Sequence, residues 1–186
     1  PDTTRPGFTH SVPGSFGELY LNETTGAYEY VPTDAAIEGL TADASESFTL
    51  QVTDGGGATD EETLTISLTA ANDTPELDAV PDGSIVEDDQ SDTTTDANLS
   101  GTLSSSDRDA GDSATYGIDG QVEDGSESGF THSKAGAYGT LYVNSATGAY
   151  QYVKDDAAVE ALDAGDTDTD SFTLTVTDGG GTVTQG

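Results

Sequence analysis

The sequence predicts an all-β fold with mostly antiparallel strands, arranged as two tandem copies of one domain. A cassette that begins G-F-T-H-S and ends V-T-D-G-G-G occurs twice, over Gly7–Gly57 and Gly129–Gly181. Within it, short runs of alternating apolar and polar residues are separated by turn residues, as half-buried strands require. The repeat period of about 122 residues is too long for one turn of a solenoid, so each copy is expected to be a domain.

Charge is the extreme feature of the composition. The chain has 36 Asp and Glu against 4 Lys and Arg, a formal net charge of -32. This excess opposes binding to nucleic acid and anionic lipid, and it makes cations the expected partners. Cysteine is absent, so disulfides do not supplement the core, whereas bound metal ions could. Because no run of about 18 apolar residues occurs, no insertion into a membrane is predicted.

The first copy opens with a predicted hairpin over residues 16–31. Leucines alternate with polar residues before a turn at residues 22–26, and Tyr28 and Tyr30 then return on one face. Gly26 is expected to take the positive φ that a longer hairpin loop needs. These tyrosines and their counterparts in the second copy, Tyr150 and Tyr152, are expected to pack across the sheet.

A short helical turn and a second hairpin complete the first copy. The helical turn is expected to start at Asp34, with the Asp34 side chain as its cap, and to stop near Gly39. Apolar residues then alternate with polar ones over 48–52 and again over 64–68. The glycine-rich turn at residues 54–57 joins these two strands, which are therefore predicted to be antiparallel.

The second copy follows a linker at about residues 70–77. Pro75 restricts Thr74 to an extended conformation, so the linker is expected to be short and fairly stiff. The segments expected before the repeated cassette are a strand at 84–87, an acidic loop at 88–96, a strand at 99–103, an acidic loop at 107–112 and a strand at 116–118.

The domains are expected to span residues 1–71 and 72–186. The first copy lacks the opening strands of the second, and the second lacks the last strand of the first. Each therefore leaves an open strand edge that could pair with another chain. The simpler interpretation is that these edges only mark where the given sequence starts and stops.

Carboxylates and an amide cluster at loops in a pattern that favours calcium. They are Asn72 and Asp73 in the linker, Asp107, Asp109 and Asp112 in one loop, and Asp178 after a strand. Ca²⁺ takes six to eight oxygen ligands, and alternate acids in a loop can converge on one ion. Oxygen donors without Cys or His suit Ca²⁺ better than a transition metal. The alternative, which is favoured for any one of these acids, is a solvated or salt-adapted surface.

The same residues carry a resemblance to a known family. The stretches L-S-G-T-L-S-S-S-D-R-D-A-G-D, G-T-L-Y-V-N-S-A-T-G-A-Y-Q-Y-V and D-S-F-T-L-T-V-T-D-G-G-G resemble the VCBS repeat of very large secreted bacterial adhesins of the RTX type. The resemblance covers nearly the whole chain. It implies tandem immunoglobulin-like or cadherin-like β-sandwich domains, each with one short helical turn, and an extracellular location.

The resemblance also implies ligands for the ion. N-D-T-P is similar to the cadherin interdomain linker, D-R-D to the cadherin D-x-D, and V-T-D-G-G-G to the loop that closes on the same ion. The residues implied to share an interdomain Ca²⁺ are Asn72, Asp73, Asp107, Asp109 and Asp178. Asp54 is implied to serve a linker before the first copy. Thr69 and Ala70 depart from the cadherin pattern, which has an additional Asp upstream.

The function predicted from these features is structural. The chain is expected to be an extender repeat of an exported adhesin or surface fibre, stiffened by calcium at the linker, with neighbouring repeats or other copies as partners. The alternatives are a filament subunit joined to other copies by strand complementation and a glycan-binding module that uses exposed tyrosines.

No enzyme activity is predicted. His10 and His132 each precede a serine in G-F-T-H-S, but a catalytic triad needs a third orienting group and a spatial approach that sequence neighbours do not provide. Both histidines are expected to lie in a strand or loop and to satisfy a backbone group.

Overall fold

The computed structural model describes residues 5–87, 94–109, 111–163, 165–178 and 182–185. Every strand pairing among them is antiparallel, and helix is limited to two short segments, which confirms the predicted all-β fold. No helix in this part of the chain is long and apolar enough to cross a membrane. The chain divides into two compact units, one that runs to Asp73 and also takes Arg108–Gly111, and one formed by the remainder.

Where the structure describes it, the first unit consists of one three-stranded sheet, one long hairpin and one helix. Its elements are β1 (His10–Pro13), β2 (Gly17–Leu21), β3 (Tyr28–Pro32), α1 (Asp34–Glu38), β4 (Ala44–Thr53) and β5 (Thr59–Leu68). The sheet order is β1-β2-β3, and β4 pairs with β5 over all ten residues of each strand.

The predicted hairpins of the first unit are confirmed. Gly26 closes the β2–β3 loop at φ +72°, a conformation that costs glycine little. Because β4 and β5 alternate, their apolar residues share one face, and Phe48 and Leu68 are buried on it. Leu19 of β2 is 3% exposed. The core of this unit is thus small.

The described residues of the second unit form four sheets and one helix. Its elements are β6 (Glu76–Leu77), β7 (Ser84–Glu87), β8 (Thr94–Ala97), β9 (Ser100–Thr102), β10 (Ser105–Ser106), β11 (Thr115–Ile118), β12 (Val122–Glu123), β13 (His132–Ala135), β14 (Gly139–Val143), β15 (Ala149–Lys154), α2 (Asp156–Val159), β16 (Leu174–Thr177) and β17 (Thr182–Gln185). The main sheets have the orders β12-β13-β14-β15-β9 and β11-β16-β17, and β6 pairs with β10 and β7 with β8.

Both main sheets of the second unit contribute to one apolar core. Its buried members are Leu77, Leu103, Ile118, Leu141, Val143, Tyr150 and Val176. They come from six different strands or strand ends, so the alternation that predicted each strand also selects which side chains are buried. Ile118, Val143 and Val176 are the most completely enclosed.

Two strand assignments differ from the sequence prediction. Residues 94–96 were expected in an acidic loop, but Thr94–Ala97 forms β8, which pairs with β7; residues 88–93 lie outside the described part of the chain. An ion pair contributes to the formation of β8, because Nζ of Lys154 in β15 lies 3.0 Å from Oδ2 of Asp96 in β8. The second copy was expected to lack the last strand of the first copy. The first residues of that strand are present as β17 (Thr182–Gln185), which pairs with β16.

The helix cap lies one residue earlier than predicted. Asp34 is the first helical residue of α1, and Thr33 is the capping residue, without a side-chain hydrogen bond. A capping residue must be extended, as Thr33 is at φ -100° and ψ 102°. In α2 the equivalent cap is Asp155, whose side chain accepts two N–H groups of the first turn. The predicted end near Gly39 is confirmed.

Three of the four paired tyrosines pack as predicted. Tyr150 is buried, and the rings of Tyr30 and Tyr152 lie 6.0 and 5.9 Å from the phenylalanine of the repeated S-F-T-L motif. Tyr28 is 55% exposed, so its predicted packing is wrong. Tyr28 is the first residue of β3 and directly follows the exposed residues of the hairpin loop.

Candidate calcium-binding residues and carboxylate anchors

Asp109 is the most buried of the predicted calcium ligands. It is 5% exposed, and its Oδ2 accepts the backbone N–H of Asp73 at 2.7 Å, within the first unit. The side-chain nitrogen of Asn72 donates to the carbonyl oxygen of Asp73 at 2.6 Å. The structure therefore brings three of the predicted ligands together. A buried carboxylate requires donors or a cation to offset its lost hydration.

The other predicted ligands have different surroundings. In the second unit, Asp107 and Asp112 are exposed, and Asp178 is half-buried directly after β16. No three acidic or histidine side chains in the described ranges are arranged as a group that could hold a metal ion. The chemistry of the donor set, carboxylate and amide oxygens with one buried carboxylate, suits Ca²⁺. Calcium binding by these residues stays a prediction.

Asp54 has a local structural role that the sequence analysis did not predict. Its Oδ1 accepts the N–H groups of Gly56 and Ala58, at 2.8 and 2.9 Å, inside the turn between β4 and β5. These backbone hydrogen bonds lower the pKa of Asp54. The aspartate that ends V-T-D thus closes the hairpin turn of the first unit.

A second kind of carboxylate site recurs in both units. In the first unit, Oε2 of Glu46 accepts the N–H groups of Ser15 and Phe16 at 2.7 and 3.2 Å, and Oε1 accepts the hydroxyl of Tyr30. Glu46 lies in β4, whereas Ser15 and Phe16 form the loop between β1 and β2. One side chain therefore fastens the long hairpin to the three-stranded sheet.

Asp170 makes the same contacts in the second unit. Oδ1 accepts the N–H of Ala137 at 2.7 Å, and Oδ2 accepts the N–H of Tyr138 at 2.9 Å and the hydroxyl of Tyr152 at 2.6 Å. Glu46 and Asp170 each stand directly before the S-F-T-L motif. We call these two residues the carboxylate anchors.

Burial and hydrogen bonding shift the pKa values at the anchors. Burial, followed by the hydrogen bond to Glu46, raises the pKa of Tyr30 to about 12, and burial with the bond to Asp170 raises that of Tyr152. For Asp170, burial raises the pKa, but the hydrogen bonds from Tyr152 and from backbone N–H groups, those of Tyr138 and Ala137 among them, outweigh it, so the pKa is lowered. The pKa of Glu46 is lowered by the same balance. Both carboxylates are charged acceptors at neutral pH.

A groove of about 1270 Å³ lies beside the second anchor, within the second unit. Residues of segment 79–86, of β14 and β15, and of segment 165–170 line it, together with Asp163, Phe172 and Leu174. Leu141 and Tyr152 contribute apolar surface, and Asp163, Asp166 and Asp168 contribute carboxylates. The groove is therefore apolar in part and strongly acidic in part.

The two repeated histidines are the first residues of β1 and β13, and the side chain of each contacts the hydroxyl of the preceding threonine. Nδ1 of His10 lies 3.1 Å from Oγ1 of Thr9, and Nδ1 of His132 lies 2.9 Å from Oγ1 of Thr131. The same threonines accept backbone N–H groups of the adjacent hairpin loops. G-F-T-H-S thus fixes a loop in each unit.

The sequence analysis missed the anchors because Glu46 and Asp170 are two of 36 acidic residues in the chain. The available signal was positional: an acid precedes S-F-T-L in both copies although the residues before it differ.

No known protein-family model matches the chain, and no curated protein sequence matches it significantly.

Proposed function

We propose that this chain is a load-bearing structural segment of a repetitive protein rather than an enzyme. What supports this is the recurrence of one antiparallel design in two units of a single chain, down to the carboxylate anchor in each. Such arrays hold other parts of a protein apart or together. More specifically, the segment is proposed to extend an exported adhesin or surface fibre outside the cell, as the resemblance to VCBS repeats implies.

Calcium is proposed to stiffen the segment. The observation that carries this step is the buried carboxylate of Asp109 in contact with the backbone of Asp73. The chain leaves the first unit after Asp73, so a cation bound by these residues would act at the end of that unit. An ion that binds only the folded arrangement stabilises it by mass action. Extracellular modules of this kind bind Ca²⁺ at about 10⁻⁴ to 10⁻³ M.

The test is thermal unfolding in chelator, in millimolar calcium, and in sodium chloride of matched ionic strength. Calcium is expected to raise the unfolding midpoint by several degrees more than sodium chloride does. Asp109→Asn should remove this calcium-specific increment, whereas Asp82→Asn, which changes the charge equally at an exposed position, should keep it.

Two results would contradict the proposal. If matched sodium chloride raises the midpoint as much as calcium, the acids only form a screened surface. If Asp109→Asn retains the full calcium increment, the ion binds elsewhere. Small-angle scattering adds an independent measurement, because a stiffened segment must have larger and less variable dimensions in calcium than in chelator.

A further inference from the structure

Three of the four asparagines in the chain stand in the pattern Asn-x-Ser/Thr. They are Asn22 in N-E-T, Asn72 in N-D-T and Asn98 in N-L-S, whereas Asn144 is followed by serine and alanine. This pattern is the acceptor for N-linked sugars when the asparagine lies in an accessible surface loop. The three asparagines differ in how their side-chain amides are held, and this difference selects one of them.

The amide of Asn22 closes a hairpin loop. Its Nδ2 donates to the carbonyl oxygen of Gly7 at 2.7 Å. Its Oδ1 accepts the N–H groups of Thr24 and Thr25, both at 3.0 Å. Asn144 makes the equivalent bonds in the second unit, although no hydroxyl residue stands two positions after it. Loop closure therefore accounts for this asparagine in both copies.

Asn72 is also a poor acceptor. Its Nδ2 donates to the carbonyl oxygen of Asp73 at 2.6 Å. Pro75 follows the pattern directly and restricts Thr74 to an extended conformation. A transferase would therefore have to bind a stiff stretch of chain at this asparagine.

Asn98 has the surroundings of an acceptor. It is exposed and lies in the two-residue connection between β8 and β9, which belong to different sheets. Its φ is +54°, and among the residues that the structure describes it is the one non-glycine with a positive φ. Asparagine tolerates this conformation, as glycine and aspartate do. The turn thus explains the asparagine, but it does not require the serine at position 100, which is exposed on β9.

The amide of Asn98 can carry a sugar and keep its hydrogen bond. Nδ2 of Asn98 donates to the carbonyl oxygen of Asp82 at 3.1 Å. A primary amide nitrogen has two N–H groups, so this bond uses one of them. Attachment of a sugar replaces one hydrogen, and the other can still donate to Asp82. The folded turn is therefore compatible with the modified side chain.

We propose that Asn98 is an acceptor for an N-linked glycan. In the transfer, Nδ2 attacks C1 of a sugar that is joined to a lipid pyrophosphate. The C1–N bond forms as the bond from C1 to the phosphate oxygen breaks, the pyrophosphate leaves with the electron pair, and one amide proton passes to a base of the transferase. Asp96 stands two residues before Asn98, a position where Asn22 and Asn72 have no acid. This charge fits a transferase with a basic side chain in its acceptor groove. The modification is independent of the proposed calcium function.

The experiment incubates the folded full chain with an oligosaccharyltransferase that recognises D-x-N-x-S/T and with its lipid-linked oligosaccharide. Intact mass gives the number of glycans, and tandem mass spectrometry of peptides locates them. The expected result is one glycan per chain, on Asn98. Ser100→Ala keeps the asparagine and its turn but should abolish the transfer, whereas Ser100→Thr should keep it. Asp96→Asn should lower the glycosylated fraction about tenfold.

A peptide of residues 94–102 separates the motif from the fold. If the peptide is glycosylated and the folded chain is not, the fold withholds Asn98 and the proposal is overturned. It is also overturned if neither is modified, if the glycan is on Asn22 or Asn72, or if Ser100→Ala or Asp96→Asn is glycosylated as fully as the wild type. The modified chain should keep its thermal unfolding midpoint, and a clear fall in the midpoint would show that the turn does not accommodate a sugar.

Discussion

The hydroxyl of Tyr152 donates a hydrogen bond to Oδ2 of Asp170 at 2.6 Å, and Tyr30 donates the equivalent bond to Glu46 in the first unit. In both units, the carboxylate that receives this bond also accepts two N–H groups of a loop in the adjacent sheet. Tyr30 and Glu46 lie on β3 and β4, and Tyr152 lies on β15 whereas Asp170 precedes β16, so the bond joins parts of the fold that are separated in the sequence. The anchors are therefore the best points at which to perturb each unit.

Asp170→Ala is expected to lower the free energy of unfolding of the second unit by about 2 kcal/mol, since it removes charged hydrogen bonds and leaves a half-buried tyrosine hydroxyl without its acceptor. Urea unfolding measures this change. Asp82→Ala, an exposed acid in the same unit, is the control and should change stability by less than about 0.5 kcal/mol.

The effect of Asp170 should also depend on pH. Its pKa is lowered in the folded state, so its contribution is present above the ordinary pKa of an aspartate and is lost as pH falls through the lowered folded value. The stability difference between the wild type and Asp170→Asn should thus be constant near neutral pH and shrink in acid. A difference that grows in acid would contradict this assignment.

Tyr30 should ionise at about pH 12, against 10.0 for an ordinary tyrosine. A raised folded pKa means that the contribution of Tyr30 is complete below pH 10 and is lost as pH rises through about 12. Phenolate absorbance, compared between the wild type and Tyr30→Phe, isolates this titration. If the difference spectrum titrates near pH 10, the bond to Glu46 does not hold in solution.

The two helix caps offer a reciprocal test. Asp155→Ala should destabilise the second unit by about 1 kcal/mol, because two N–H groups of α2 lose their acceptor. Thr33→Asp should stabilise the first unit by about 0.5 kcal/mol, because α1 has no side-chain cap. Thermal unfolding of both variants measures these changes, and a loss of stability in Thr33→Asp would show that the two caps are not equivalent.

Gly139→Ala should destabilise the second unit by about 1 to 3 kcal/mol, since a Cβ there would lie 2.5 Å from the carbonyl oxygen of Val153. Gly125→Ala is the matched control, because a Cβ at Gly125 meets nothing within 4 Å. Equal unfolding midpoints for the two variants would mean that β14 and β15 separate more easily than their packing indicates.

The sequence predicted the strands well because alternation and turn residues act locally. The β4–β5 hairpin follows directly from its apolar residues and the glycine-rich turn, and Gly26 from the loop that it closes. Local patterns do not predict which acid meets which loop, so Glu46 was missed. Local patterns also predicted Asp34 as the N-cap of α1, whereas Thr33 has the extended backbone conformation of a capping residue. The exposure of Tyr28 depends on its neighbours in space, which its strand position did not reveal.

The long hairpin of the first unit has a mechanical consequence. Ala44 and Leu68 are opposite each other at its open end, so tension on the chain at these two residues separates one pair at a time instead of shearing all ten together. Peeling of this kind needs little force at each step, and full opening releases about 80 Å of extended chain. The hairpin is thus a reserve of length, and the bonds of Glu46, in the third pair from the open end, are among the first contacts that peeling must break.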